Sequence, residues 1–301
     1  MVVGSGSERV VVVTDSTASL PAPWAEQHGV EVVPLHVVVG RQTHCEGVGI
    51  TGREVAALLG ADEFPLSTSG PAPGELARVY RDLAQRRGAR HLVSVHLSAR
   101  ISRTVESARL AAAEVSDEVE VHVVDSRTLG LAMGYPVCAG ADLAAAGAPA
   151  DAVARAIEER AAACSAYFYV DTLEYLRRGG RIGKASALVG GALAIKPLLA
   201  VADGEVQPWE RVRTRAKALA RLRAHTVSDI VAHLAAGRDV RVGVHHCDAQ
   251  ERAEAFAAAL QQDTGAAGEV PIDIVELGAV IAVHTGPGTV AVVVCPEPPP
   301  G

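Results

Sequence analysis

The chain has 301 residues, 49% hydrophobic and 21% charged, with a formal net charge of −7. Such a length accommodates two domains, each with its own core. The composition excludes a disordered chain and a basic nucleic-acid binder.

Val10–Thr14 is a continuous apolar run of the kind buried on both faces of a parallel sheet. HLVSVHL from His91 and VEVHVVD from Val119 repeat that signal. Between them, Leu76, Val79, Tyr80 and Leu83 fall on one helical face, as do Val105, Ala108, Ala112 and Val115. Thr51 with Glu54 spells a capping box. Strands alternating with helices predict a doubly wound parallel-sheet α/β domain over residues 8–160, with ligands gathering beyond the carboxyl ends of the strands. Residues 161–297 predict an α+β domain. It opens with a short strand and a helix capped by Asp171 and Glu174, which Gly179 and Gly180 stop. A second helix, a strand, an Asp203-Gly204 hairpin turn and another strand follow. A long helix from Thr214 and strands near Val240, Asp273 and Val290 complete it.

No run of about eighteen apolar residues occurs, so no transmembrane helix is expected. The first residues, MVVGSGSERV, lack the basic region and long apolar core of a secretion signal, and the expectation is a cytoplasmic protein. Five cysteines without a CxxC pair support neither a disulfide framework nor a zinc knuckle. His245, His246 and Cys247 end a strand-like run and read as strand-end polar residues; no metal is expected.

Each strand of the first half delivers a polar loop. Asp15 and Ser16 follow the first, SARISRT (98–104) the second, and Asp125 and Ser126 the third. STSGPAPGE (67–75) opens a helix between them. Helix starts present unpaired N–H groups and a positive dipole end, and hydroxyls add directed donors, so together these loops suit one small anion. Taken singly, each is also an ordinary set of helix caps. HTGPGT joins them, with His284, Thr285 and Gly286 in a tight turn; His284 can donate to a carboxylate or serve as a structural histidine.

These segments together resemble one family. VVVTDSTASLP, STSGPAPGEL, VHLSARISRTVESARLAA, VVDSRTLGLAMGY, VDTLEYLRRGGRIGKA, IKPLLAVADGEV, VRTRAKAL and HTGPGT are similar, in order, to blocks of the DegV family of bacterial lipid-binding proteins. The resemblance implies a DegV-like two-domain fold holding a long-chain fatty acid between its domains, without a cofactor. It places Thr68 and Ser102 on the acid's carboxylate and His284 in support, with Asp15, Ser16, Ser126, Thr285 and Gly286 in the polar loops around them. It also implies a partner, the catalytic subunit of a fatty acid kinase, which would phosphorylate the bound carboxylate for phospholipid synthesis. Arg103 departs from the family pattern, standing where glycine is usual, beside the carboxylate site. A lipid carrier or sensor without a kinase is the alternative.

Leu188, Val189, Leu193, Ile195, Leu198 and Leu199 are candidate tunnel wall or core. A palmitate-sized chain buries roughly fifteen methylenes at about 0.8 kcal/mol each, so the tail supplies the affinity and the headgroup site orients the acid. Arg211, Arg213, Arg215 and Lys217 open a basic run, continued by Arg221 and Arg223 without an acidic residue. It reads as a solvated helix face, a partner-docking surface or a transient membrane-surface contact. The run lacks interleaved aromatics, which argues against nucleic acid. Ser102, His284 and Asp15 or Asp125 would compose a serine acyl hydrolase triad, but no GxSxG elbow is present. GGRIGKAS fails as a phosphate loop, with Ala185 after Lys184 where Ser or Thr is needed.

Overall fold

A computed structural model describes residues 9–61, 64–188, 196–265, 268 and 270–297. The valine run forms β1 (Val10–Asp15), which a 3₁₀ turn and α1 (Ala22–Gln27) connect to β2 (Glu31–Val33). Three short strands then form a sheet of their own: β3 (His36–Val39), β4 (Gln42–Cys45) and β5 (Leu66–Ser69), antiparallel in the order β4-β3-β5. Between β4 and β5 lies α2 (Gly52–Ala61), started by the Thr51/Glu54 capping box. The chain returns through α3 (Pro73–Arg87), β6 (His91–His96), α4 (Thr104–Glu114) and β7 (Glu120–Asp125), then α5 (Leu131–Ala145) and α6 (Ala150–Ala163).

The parallel sheet runs β2-β1-β6-β7 and is covered on both faces. Val12, Val93, Val95 and Val124 pack towards α5 and α6. Val11, Val13 and Leu92 pack with Leu76, Tyr80, Leu83, Ala108 and Val115 of the opposite layer. Ala111, not Ala112, is the buried alanine of that helical stripe.

The second half adds β8 (Ser165–Tyr169), α7 (Glu174–Arg178), β9 (Lys196–Ala202), β10 (Glu205–Val212), α8 (Arg215–Ala235), β11 (Val240–His246), α9 (Gln250–Thr264), β12 (Ile272–Glu276), α10 (Ala279–Thr285) and β13 (Val290–Pro296). Six strands form one mixed sheet, β10-β9-β8-β13-β11-β12. Asp203 and Gly204 both adopt positive φ, 53° and 79°, as the expected tight hairpin between β9 and β10 requires. One face of this sheet packs Val240, Val242, Val244, Val290, Val292 and Val294 against α8 and α9. The other face turns Phe168, Leu199, Ala291 and Val293 towards the first half.

Two local expectations change. Asp171 does not cap α7: its carboxylate takes the Tyr169 hydroxyl and the Arg215 guanidinium, and the Thr172 hydroxyl accepts from the Glu174 N–H instead. Past Gly180, which alone of the glycine pair has positive φ, the chain forms a 3₁₀ segment, Gly183–Leu188. Val189, Leu193 and Ile195 lie outside the described residues, and the Leu188 side chain is likewise not described.

The two halves share a core. Leu277, Val280 and Ile281 lie in the cluster that holds Val12, Val93 and Met133, and α10 packs on α2, β3 and β5. On the other flank the Arg241 guanidinium sits 4.8 Å from the Trp24 ring centroid and 5.0 Å from that of Tyr135. Arg241 and Tyr135 both donate to Asp273, at 2.8 and 2.7 Å. A partly buried cation–π and charge-assisted pair of this kind pins two elements more firmly than an exposed ion pair does.

Candidate functional site

Between the inner face of the six-stranded sheet and the loops of the first half lies a cavity of about 320 Å³. Leu97, Ile101 and Leu129 wall it from the first half, and Phe168, Val201 and Ala291 from the sheet. Leu198 and Leu199, candidates for tunnel wall or core, take the core role: neither lines the cavity, and both are fully buried in the second half's clusters.

The cavity's polar lining includes Thr68, Ser102, His284 and Arg181. Thr68 lies on strand β5, five residues before α3 begins at Pro73, so its hydroxyl is set by sheet register and not by a helix start as expected. Ser102 lies two residues before α4, with its Oγ 2.9 Å from Thr104 Oγ1. Gly70 lets these segments touch: a Cβ there would fall 2.8 Å from Thr104 Oγ1 and 3.8 Å from Ser102 Oγ. His284, near the end of α10, places Nε2 2.8 Å from Thr68 Oγ1. Its Nδ1 is buried without a hydrogen-bond partner. Gly179 makes room for the ring, since a Cβ there would overlap Nδ1.

Burial first, and the Arg181 charge second, push the His284 pKa down to about 4, so the ring is neutral at pH 7. An orphaned buried N–H is costlier than an orphaned lone pair, which assigns the proton to Nε2. Nε2–H then donates to Thr68 Oγ1, and the Thr68 hydroxyl proton is left to point at an acceptor in the cavity mouth. Neutral His284 orients a donor; it does not supply a charge.

Arg181 was not foreseen at this site. Its Nε donates to the Ile101 carbonyl at 3.3 Å and an Nη to the Gly179 carbonyl at 2.6 Å, latching the second half onto the loop that carries Ser102. Arg103, the departure from the family pattern, lines the cavity beside Ser102. Its side chain is 92% exposed and leans 3.7 Å from Glu106.

The supporting loops separate into two groups. Thr285 lines the cavity, with its hydroxyl donating to the Ile281 carbonyl. Asp15, Ser16, Ser126 and Gly286 stand behind it. Asp15 is fully buried and accepts from Thr17 N, Thr17 Oγ1, His96 Nδ1 and Leu97 N, at 2.5 to 3.0 Å. Its valences are filled by the strand ends it ties together. Ser16 Oγ accepts from the Leu35 N–H, and Ser126 Oγ bonds the Thr128 backbone. Gly286 takes φ 75° and leaves space that Tyr175 fills. His245 also touches the cavity: Nε2 accepts from the Leu131 N–H at 3.0 Å and Nδ1 donates to the Val275 carbonyl at 3.2 Å, as a strand-end structural residue does.

The geometry does not assemble a hydrolase triad. Ser102 bonds Thr104, His284 bonds Thr68, Asp15 is held by His96, and Asp125 accepts from the Ala99 and Arg127 N–H groups. Within the basic run, Arg215 pairs with Asp171, Arg221 with Glu210 and Arg223 with Asp263. Arg211, Arg213 and Lys217 are exposed. No helix among the described residues is long and apolar enough to cross a membrane.

The family model described as an uncharacterised protein of the DegV family matches residues 9–297. A DegV domain-containing protein of Streptomyces coelicolor is 47% identical over 288 residues, covering 96% of this chain and 99% of its own. Among solved structures, a DegV family protein from Thermus thermophilus described for its fatty acid binding superposes with a TM-score of 0.85 at 34% identity, over 96% of this chain and 100% of that one. DegV of Bacillus subtilis, described as a fatty acid binding protein, gives 0.85 at 32% identity over the same shares.

Proposed function

This chain belongs to the DegV family, and we propose that it is a non-catalytic binder of a long-chain fatty acid, working in the cytoplasm. The observation that carries this reading is a mainly apolar cavity between the two halves whose polar lining includes the Thr68 and Ser102 hydroxyls, neutral His284 and Arg181. An apolar tail gains free energy along its whole length. A carboxylate there needs donors that offset its desolvation, and Thr68, Ser102 and the backbone around them offer these beside the partly buried Arg181 guanidinium. Two solved relatives described as fatty acid binders support the assignment.

Native mass spectrometry of protein purified from a bacterial host tests it: an adduct of fatty-acid mass, released on denaturation, is the expected result, and a ligand-free chain that also fails to take up added palmitate overturns it. The paired substitution Thr68→Ala and Ser102→Ala tests the site. Affinity for the acid is expected to fall about tenfold or more while thermal unfolding stays cooperative; unchanged affinity would remove the assignment of these two hydroxyls. A further step of the same reading is that the carboxylate is presented to an acyl kinase, with Arg211, Arg213 and Lys217 as exposed docking cations. Acyl phosphate formed on adding the kinase and ATP, and lost with charge-reversed cations, is the outcome that would support it.

A further inference from the structure

At the opposite end of the parallel sheet from the cavity, β6 and β7 begin with three side chains that the ligand site does not use. His91 and Glu120 are register partners, and His122 lies two residues along β7 on the same face as Glu120. Among the described residues this is the group of three His, Cys or carboxylate side chains whose donor atoms all lie within 4.8 Å of one another. One Glu120 oxygen is 3.2 Å from His91 Nδ1, and the other is 3.1 Å from His122 Nε2. The imidazole rings face the same point, 6.5 Å apart between centroids. Both histidines are mostly covered, with 19% and 28% of their side chains exposed, whereas Glu120 reaches into solvent at 62%.

We propose that His91, Glu120 and His122 form a binding site for one divalent transition-metal ion of the zinc type. Two imidazole nitrogens and a carboxylate are a donor set that suits Zn²⁺, and water can complete a tetrahedron on the solvent side. To hold the ion, each imidazole would present a lone pair at the nitrogen that now bonds Glu120, with its remaining proton on the other ring nitrogen. Because β7 is the edge strand of its sheet, the ion would staple that edge to β6. The two strand starts place the donors through sheet register, so little backbone rearrangement is needed to close the ring.

Isothermal titration of chelator-treated protein with Zn²⁺, with Co²⁺ absorbance as a spectroscopic readout of coordination, tests the site. One saturable equivalent is expected in the unmodified chain, with a rise in Tm on adding the ion. Both signals should be lost in the double variant His91→Asn with His122→Asn. Glu120→Gln, an exposed change that leaves the strands intact, should weaken binding about tenfold. Absence of saturable binding overturns the proposal. So does an undiminished equivalent in the double variant, which would place the ion on another of the eleven histidines. If the double variant fails to fold, Glu120→Gln decides: binding equal to that of the unmodified chain sinks the site.

Discussion

The histidine at the cavity mouth acts through a chain of dependencies that begins at a glycine. Gly179 has φ −73°, so alanine would suffer no backbone strain there. The cost of Gly179→Ala is steric, because the added methyl would enter the space of His284 Nδ1. Displacing the ring breaks the bond to Thr68 and frees that hydroxyl to rotate away from the mouth. Overpacking of this kind costs about 1–3 kcal/mol. The expected outcome is a lower Tm together with weaker fatty-acid binding. Gly180→Ala is the control: its φ of +70° strains the backbone, yet nothing fills the space beside it, so stability should fall with affinity unaffected. Equal losses of affinity in both variants would mean that His284 is not held by Gly179.

Among elements, α10 is short and carries His284 near its far end. Its start is capped from a distance: Glu46 Oε1 accepts from the Val280 N–H at 2.7 Å, across 234 residues of sequence. Burial raises the Glu46 pKa above the usual carboxylate range, and Oε2 has no hydrogen-bond partner. A folded pKa raised in this way means that the folded chain holds the proton more tightly. Glu46 therefore stabilises the fold least above its folded pKa, and the deficit disappears as pH falls below the ordinary carboxyl value. Glu46→Gln keeps an acceptor and removes the buried charge, so its Tm should match or exceed that of the unmodified chain at pH 7.5, with the advantage gone near pH 4. Glu46→Ala removes the acceptor, and about 0.5–2 kcal/mol should be lost along with some acid affinity. Thermal unfolding of both variants across that pH range checks the pair; a Gln variant less stable than Ala at every pH would rule out the cap.

Elements of this sort also show where sequence reading stops. The parallel strands were legible because runs such as VVVV and LVSV signal burial on both faces, and the β9–β10 hairpin because Asp-Gly turns have few alternatives. The sheet β4-β3-β5 was not, since its strands are four residues long and β4, Gln-Thr-His-Cys, carries no apolar alternation. Thr68 was assigned to a helix start for that reason. Asp171 followed the spelling of a cap but was recruited by Tyr169 and Arg215, partners whose proximity only the tertiary fold creates. Arg181 falls in the GGRIGKAS segment and in a family-like block, and neither points to a site role. Its reach to the Ile101 carbonyl spans 80 residues, and no local pattern encodes it.

At the scale of the whole molecule, the seam between the halves should respond to acid. His245 is buried where β11 meets α5, and burial depresses its pKa to about 4; His284, also depressed to about 4, sits where α10 meets α7 and β5. His246 is lowered in the same direction, again chiefly by burial. A depressed histidine pKa means that the unfolded chain binds more protons than the folded one between about pH 6.5 and pH 4. Stability from these groups is complete above that window and declines as pH falls through it. For fully buried His245 the loss is on the order of 3 kcal/mol at complete protonation. Protonated Nε2 could no longer accept from the Leu131 N–H, so acid should loosen the seam before it unfolds either sheet. Bound fatty acid, by contrast, stabilises the folded state by mass action. The expected result is a Tm that falls steeply below pH 6.5 in delipidated protein and that palmitate raises at pH 7.5. His245→Gln should start from a lower Tm at pH 7.5, because its amide cannot reproduce both ring bonds, yet show a shallower slope from pH 6.5 to 4. If the slope is unchanged in that variant, His245 does not carry the acid response.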